Sequence, residues 1–313
     1  MVTDFEGLAA RHASTQGHLT RSDLLATGVT RSAIRSADAA RRWTNPHRGV
    51  YAVAASPTAQ SPLWAAHIHL GPESIVVLRS AAAVHGISGV AGRFVPELAV
   101  PPGLEKTQRP GMHIRVWSIP DDQKCVVDGL PVTTIERTLA DIARLLPRAQ
   151  AVSCLDSALH LGLICVEDLR ALDDLMHRRR QCVSGRRRLL EARPGTQSPL
   201  ETRVRLQASD GGFPPDALQV PVCNSSGVLL GYGDMGYELP DRSWLIVEAD
   251  GRSVHELPEA LLHDRRRQNA FLAAEVSSIF RFTWEDARHP AYIPGVLGPP
   301  LMRAGWRPSP RRP

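Results

Sequence analysis

Apolar residues at Phe5, Leu8, Ala9 and Ala13 recur at helical spacing near the start of the chain, and two shorter helical stretches follow. Each lies behind a hydroxyl residue suited to cap it: Thr20 and then Ser22 before Asp23 to Ala26, and Thr30 before Arg31 to Ala37. Thr27-Gly28-Val29 predicts a tight helix-to-helix turn between them. Arg41-Arg42-Trp43 and Arg48-Gly49-Val50-Tyr51-Ala52-Val53 flank Asn45-Pro46-His47, which predicts two strands joined by a turn at the proline.

Helix, turn, helix and hairpin in this order make residues 1–58 a winged helix-turn-helix candidate. The helix behind Thr30 is then the one offered to the major groove of DNA, with Arg31, Ser32 and Arg35 on its outer side. Arg41, Arg42 and Arg48 fall in the wing, where guanidinium groups meet phosphates without reading sequence. A small helical domain with a solvated basic face fits the same pattern.

Residues 59–192 read as a mixed α/β region. Ser61 to Leu70 is helical, Ser74 to Leu78 is a β-branched run, and Ser80 to His85 starts another helix. Glu97 to Val100 and His113 to Trp117 are strand-like around the loop Gly103 to Gly111. Thr133-Thr134 caps a helix with Ile135, Leu139, Ile142 and Leu146 at helical spacing, and Ala149 to Leu161 and Val166 to Met176 are two more. The arginine run His177 to Arg180 and Arg186 to Arg188 is a solvated helix face or a nucleic-acid surface. The turn formers Pro194 to Pro199 predict a linker.

Residues 193–290 hold the densest chemistry. A helix opens at Ser198-Pro199-Leu200-Glu201, and two strands, Val228 to Leu239 and Ser243 to Asp250, are joined by Pro240-Asp241-Arg242. A three-residue hairpin loop pairs Leu239 with Ser243 and brings Asp234 opposite Glu248. Opposed residues have Cβ atoms about 4.5–5.5 Å apart, and Asp250 points to the same face. Carboxylates held together call for protons or a cation, and Mg²⁺ or Mn²⁺ bound by Asp234, Glu248 and Asp250 would suit phosphodiester hydrolysis. An ordinary surface hairpin, or a register shifted by one residue, would separate these acids. His255 follows Asp250 closely enough to act as a general acid or base, and Arg267 could hold a carboxylate or a scissile phosphate.

Composition changes this picture little. Over 313 residues the hydrophobic share is 43%, the charged share 22% and the net charge +5, ordinary for folded chains of two or three domains with a lean toward polyanionic partners. The positive charge is almost all arginine, Lys106 and Lys124 being the only lysines, a bias that a GC-rich genome also produces. Five scattered cysteines suggest buried, reduced thiols, and His85 and His113 lack partners at metal-ligand spacing. No apolar run is long enough to span a membrane, so a cytoplasmic location is expected.

Residues 198 to 286, with Ser198-Pro199-Leu200-Glu201, Asp234, Glu248-Ala249-Asp250-Gly251, His255, Asp264-Arg265-Arg266-Arg267-Gln268-Asn269 and Arg281-Phe282-Thr283, resemble an uncharacterised domain family related to very-short-patch-repair endonucleases of the PD-(D/E)XK superfamily. The superfamily's motif lysine is replaced by Asp250. The resemblance implies a restriction-endonuclease-like α/β domain, with Glu201 supporting the site. Residues 5 to 55 and 61 to 190, with Gly28-Val29-Thr30-Arg31-Ser32-Ala33-Ile34-Arg35, Arg48-Gly49-Val50-Tyr51, Ser80-Ala81-Ala82-Ala83-Val84-His85-Gly86 and Gly129-Leu130-Pro131-Val132-Thr133-Thr134, resemble AbiEi-type antitoxins, which implies operator DNA binding and a toxin partner.

The expectation is an α+β multi-domain chain: the N-terminal winged helix-turn-helix, the middle region, the endonuclease-like domain, and a Pro- and Arg-rich tail at 291–313 whose end, Pro308 to Pro313, is disordered. Its leading function is a DNA-binding, Mg²⁺-dependent endonuclease. A regulator of a toxin-antitoxin system with an inactive nuclease fold is the alternative, and an adaptor with no DNA role is a third.

Overall fold

The computed structural model describes residues 7–8, 12–53, 58–90, 94–104, 110–251, 270–271, 273–274 and 276–308. The described residues form a mixed α+β architecture with three sheets. Its contacts divide it into two compact units, one of Met1–Leu145 with Arg170–Cys182, the other of Leu146–Leu169 with Val183–Pro313.

The first unit opens with β1 (His18–Thr20), α1 (Arg21–Ala26), α2 (Arg31–Ala39), β2 (Thr44–His47) and β3 (Val50–Ala52), the strands forming a sheet of order β1-β3-β2. Thr20 and Asp23 cap α1 reciprocally, each side chain taking the other residue's N–H, and Thr30 caps α2 through the N–H of Ala33 at 3.2 Å. Gly28 makes the interhelix turn at a φ of +86°, a conformation that only glycine adopts without strain. Leu19, Leu24, Ile34, Ala37, Trp43 and Tyr51 close one small core. The indole N–H of Trp43 and the amide of Asn45 both donate to Asp38, which ties α2 to the hairpin. The hairpin turn lies two residues beyond the expected place. Asn45-Pro46-His47 are in β2, and Arg48-Gly49 form the turn with Gly49 at φ +81°. Pro46 is tolerated because β2 is an edge strand.

The same unit contains a five-stranded sheet of order β6-β5-β4-β8-β7, made of β4 (Ile75–Val76), β5 (Glu97–Val100), β6 (His113–Val116), β7 (Lys124–Val127) and β8 (Leu130–Thr133). The β4–β8 and β5–β6 pairs are parallel, the others antiparallel. Its core packs against α3 (Ser61–Leu70) through Leu63, Trp64, Ala66 and Leu70. α4 (Leu78–Val84), α5 (Ile135–Leu145) and α7 (Leu169–Met176) complete the helices, and His85 is satisfied at 2.8 Å from the Thr133 carbonyl oxygen.

In the second unit, α6 (Arg148–His160), α8 (Cys182–Glu191), α9 (Pro199–Asp210) and α10 (Tyr292–Arg303) accompany a sheet of order β12-β11-β10-β9. Its strands are β9 (Ala217–Cys223), β10 (Leu229–Glu238), β11 (Trp244–Ala249) and β12 (Val276–Phe282). One face packs on Leu200, Val204 and Ala208 of α9 and Ile293, Leu297 and Leu301 of α10; the other carries Val220, Val222, Ile246 and Phe271. The segment expected as a tail thus includes a packed helix, because Ile293, Leu297 and Leu301 recur every fourth residue on one face. Pro308 belongs to the described residues and 309–313 lie outside them. The expected linker is a packed turn within this unit. Thr196 is buried, and the N–H groups of Arg193 and Gln197 donate to Asp156 and Glu201.

Of the five cysteines expected to be buried, Cys154 is buried, Cys125 and Cys182 are half-buried, and Cys165 and Cys223 are exposed. No helix among the described residues is long and apolar enough to cross a membrane.

Candidate functional site

The hairpin of β10 and β11 has the register that its loop length dictates, with Leu239 N–H donating to the Ser243 carbonyl, Glu238 opposite Trp244 and Met235 opposite Val247. Asp234 and Glu248 are the next residues of the two strands beyond the last paired positions, Met235 and Val247. Close packing fixes the backbone around Asp234. A Cβ on Gly233 would fall 2.5 Å from the Ile246 side chain, and one on Gly236 would fall 2.9 Å from Trp244 and Val220.

The acids are each engaged by the chain. Asp234 Oδ2 accepts the N–H of Ala249 at 2.7 Å, at the end of β11. Glu248 is buried and pairs at 2.9 Å with Arg281, its neighbour on the parallel strand β12. Asp250 is half-buried, and its N–H donates to the Phe282 carbonyl. Glu201, buried on α9, accepts the N–H of Gln197 at 2.8 Å. Burial pushes the Glu201 carboxyl up to about 6; the Gln197 hydrogen bond opposes the rise and the charge of Asp234 adds to it.

Glu201 and Asp234 therefore act on each other electrostatically, while Glu248 is neutralised by an arginine. The donor set does not fit a closed cage of three carboxylates around Mg²⁺ or Mn²⁺, because Arg281 supplies the compensating charge beside Glu248. Among the described residues, no group of three or more His, Cys, Asp or Glu side chains is placed to hold a metal ion. His255 and Arg267 lie outside the described residues. Arg281 is the residue whose role the sequence pattern did not give. Its partner is 33 positions away on a strand paired in parallel, and no local spacing links the two.

The other candidate surface is in the first unit. Ile34 and Ala37 turn α2 onto the core, which leaves Arg31, Ser32 and Arg35 exposed. The Ser32 hydroxyl lies 3.0 Å from that of Thr30, at the cap of the helix. Arg41, Arg42 and Arg48 are exposed too; Arg41 takes a φ of +50° just past α2, and Arg48 stands in the hairpin turn. A helix end rich in arginine beside an arginine-tipped hairpin can meet phosphates with charge and base edges with planar donors.

Residues 74–192 match the family described as the AbiEi antitoxin C-terminal domain. Two Mycobacterium tuberculosis proteins are similar: the uncharacterized protein MT2308 of strain CDC 1551 / Oshkosh and the uncharacterized protein Rv2248 of strain ATCC 25618 / H37Rv. Each is 27% identical over 219 residues, which cover 70% of this chain and 78% of the relative. The crystal structure of the RV2827C protein from Mycobacterium tuberculosis aligns with a TM-score of 0.36 and 16% identity, over 62% of this chain and 83% of that one.

Proposed function

We propose that this protein is a DNA-binding regulator of the antitoxin type. Its first helices and hairpin act as a winged helix-turn-helix, with Arg31, Ser32 and Arg35 reading the operator and Arg41, Arg42 and Arg48 gripping the backbone. The match of residues 74–192 to an antitoxin C-terminal domain carries this reading. It is supported by the helix–Gly28–helix–hairpin unit that precedes the match, with its six outward side chains. A cognate toxin is the expected protein partner.

Footprinting of the full chain on the DNA upstream of its own coding sequence tests the reading. A protected palindromic or repeated site that Arg35→Ala loses supports it; uniform, sequence-independent binding in both proteins overturns it.

A second reading gives the C-terminal sheet a restriction-endonuclease-like fold and a metal-dependent nuclease activity. The mutual influence of Glu201 and Asp234 favours it, and the Arg281–Glu248 pair weighs against it. On the first reading that sheet domain is a nuclease fold used for binding. Incubating supercoiled DNA with wild type and Asp234→Asn in Mg²⁺ or Mn²⁺ separates the two readings: nicking by wild type alone supports the nuclease, and nicking by neither supports the regulator.

A further inference from the structure

Asp141, on α5, is almost fully buried and faces three arginines. Arg137 Nε donates to one carboxylate oxygen at 2.6 Å, Arg144 Nη2 to the other at 2.6 Å, and Arg179 Nη1 stands 3.8 Å away. Gln123 Oε1 and the Arg180 carbonyl oxygen hold the remaining forks of Arg137 and Arg144 at 2.6 and 2.7 Å. Those acceptors are neutral, so three guanidinium groups share one negative charge, a surplus of two positive charges in a largely desolvated place.

Two further observations mark the cluster as incomplete. The Nε of Arg144 is buried with no hydrogen-bond partner among the described residues, and buried unmatched donors are costly. At 3.8 Å the Arg179 guanidinium makes an ion pair too long for a hydrogen bond. Burial holds this group below the usual arginine range, and Arg137 and Arg144 push it the same way against Asp141. The loop that delivers it is strained, since Arg178 and Gln181 have φ of +58° and +65° without being glycine.

The geometry points to a phosphoryl-binding site in which Arg179, half-exposed, and the buried Arg137 and Arg144 take the oxygens of a phosphate group. Planar arginine forks match phosphate oxygens, and a doubly charged phosphoryl group would balance the surplus. The group could belong to a DNA backbone or to a free phosphorylated small molecule.

The test uses the full chain, with inorganic pyrophosphate as probe and chloride at matched ionic strength as control. Thermal midpoints are recorded for wild type, Arg179→Gln, Arg179→Lys and Arg178→Gln, the last removing an equal charge from an exposed neighbour. Wild type and Arg178→Gln are expected to gain stability with pyrophosphate. In Arg179→Gln the half-maximal concentration should rise about 10-fold or the response vanish, with Arg179→Lys between. A response in Arg179→Gln equal to wild type, or none in wild type beyond chloride, overturns the site. Salt titration of DNA affinity identifies the source: a slope lower by about 1 in Arg179→Gln alone assigns a DNA phosphate, and an unchanged slope assigns a free ligand. Absence of any DNA binding would count against the regulator reading and leave the pyrophosphate result to judge this one.

Discussion

Glu248 and Arg281 sit side by side on adjacent parallel strands and form an ion pair of 2.9 Å, so the charge of buried Glu248 is met from within the sheet. Arg281→Ala would remove the guanidinium charge beside buried Glu248, a loss of about 3 kcal/mol in comparable buried pairs and less here because Arg281 is partly exposed. Urea unfolding should show that loss, and Glu248→Gln added to Arg281→Ala should recover most of it. Equal stability of Arg281→Ala and wild type would mean that the pair contributes nothing.

The Asp234 carboxylate supports the Ala249 N–H. Asp234→Ala, by removing the acceptor, should cost about 1–3 kcal/mol, whereas Asp234→Asn keeps an oxygen there and should stay close to wild type. On the regulator reading, calorimetric titration of Mn²⁺ into wild type and Asp234→Asn gives the same heats. A binding isotherm present only in wild type would revive the nuclease.

The raised Glu201 carboxyl has a definite sign in pH dependence. Its folded value of about 6 exceeds the ordinary 4.5, so the folded state holds the proton more tightly and this group's contribution to stability falls as pH rises through that window. Glu201→Gln removes the effect. Between about pH 4.5 and 6 the wild type should lose roughly 1–2 kcal/mol relative to the variant, which unfolding curves at successive pH values would reveal.

Arg35 and Arg48 should differ in kind. On the regulator reading, Arg35→Ala on the outward face of α2 should weaken operator binding by about 1–3 kcal/mol and relax preference at one base pair. Arg48→Ala in the hairpin turn should weaken all sequences alike and lower the salt slope by about 1. Gel-shift titrations at several salt concentrations distinguish them, and identical sequence dependence in both variants would remove Arg35 from the reading helix.

Gly233→Ala should destabilise by about 1–3 kcal/mol, because the new methyl meets Ile246 in a packed sheet. Circular dichroism melts that coincide with wild type would show that the sheet relaxes around it.

What could be read from the sequence was local. Thr30 behind α2 and Thr20 with Asp23 on α1 declare their helices because a cap bonds within one turn. Pro240-Asp241-Arg242 fixes the β10–β11 register because a short loop leaves one pairing. Non-local pairings were silent. The Arg281 partner, the order of the five-stranded sheet and the enclosure of Asp141 depend on segments distant in sequence, and Arg137 with Asp141 reads on its own as a solvated pair one turn apart. One local signal was missed. Asp128-Gly129, both at positive φ, forms the tight turn between β7 and β8 and is a strong short hairpin pattern.

The chain enters the first unit twice, with Leu146–Leu169 given to the other unit in between. Synthesis therefore cannot finish the first unit when residue 145 emerges; Asp141 waits for Arg179, and a nascent chain carries an unfinished amino-terminal half until residue 182 is made. A polypeptide ending at 145 would lack Arg170–Cys182, so the five-stranded sheet's unit would be short of its last segment and Asp141 short of one of its three arginines.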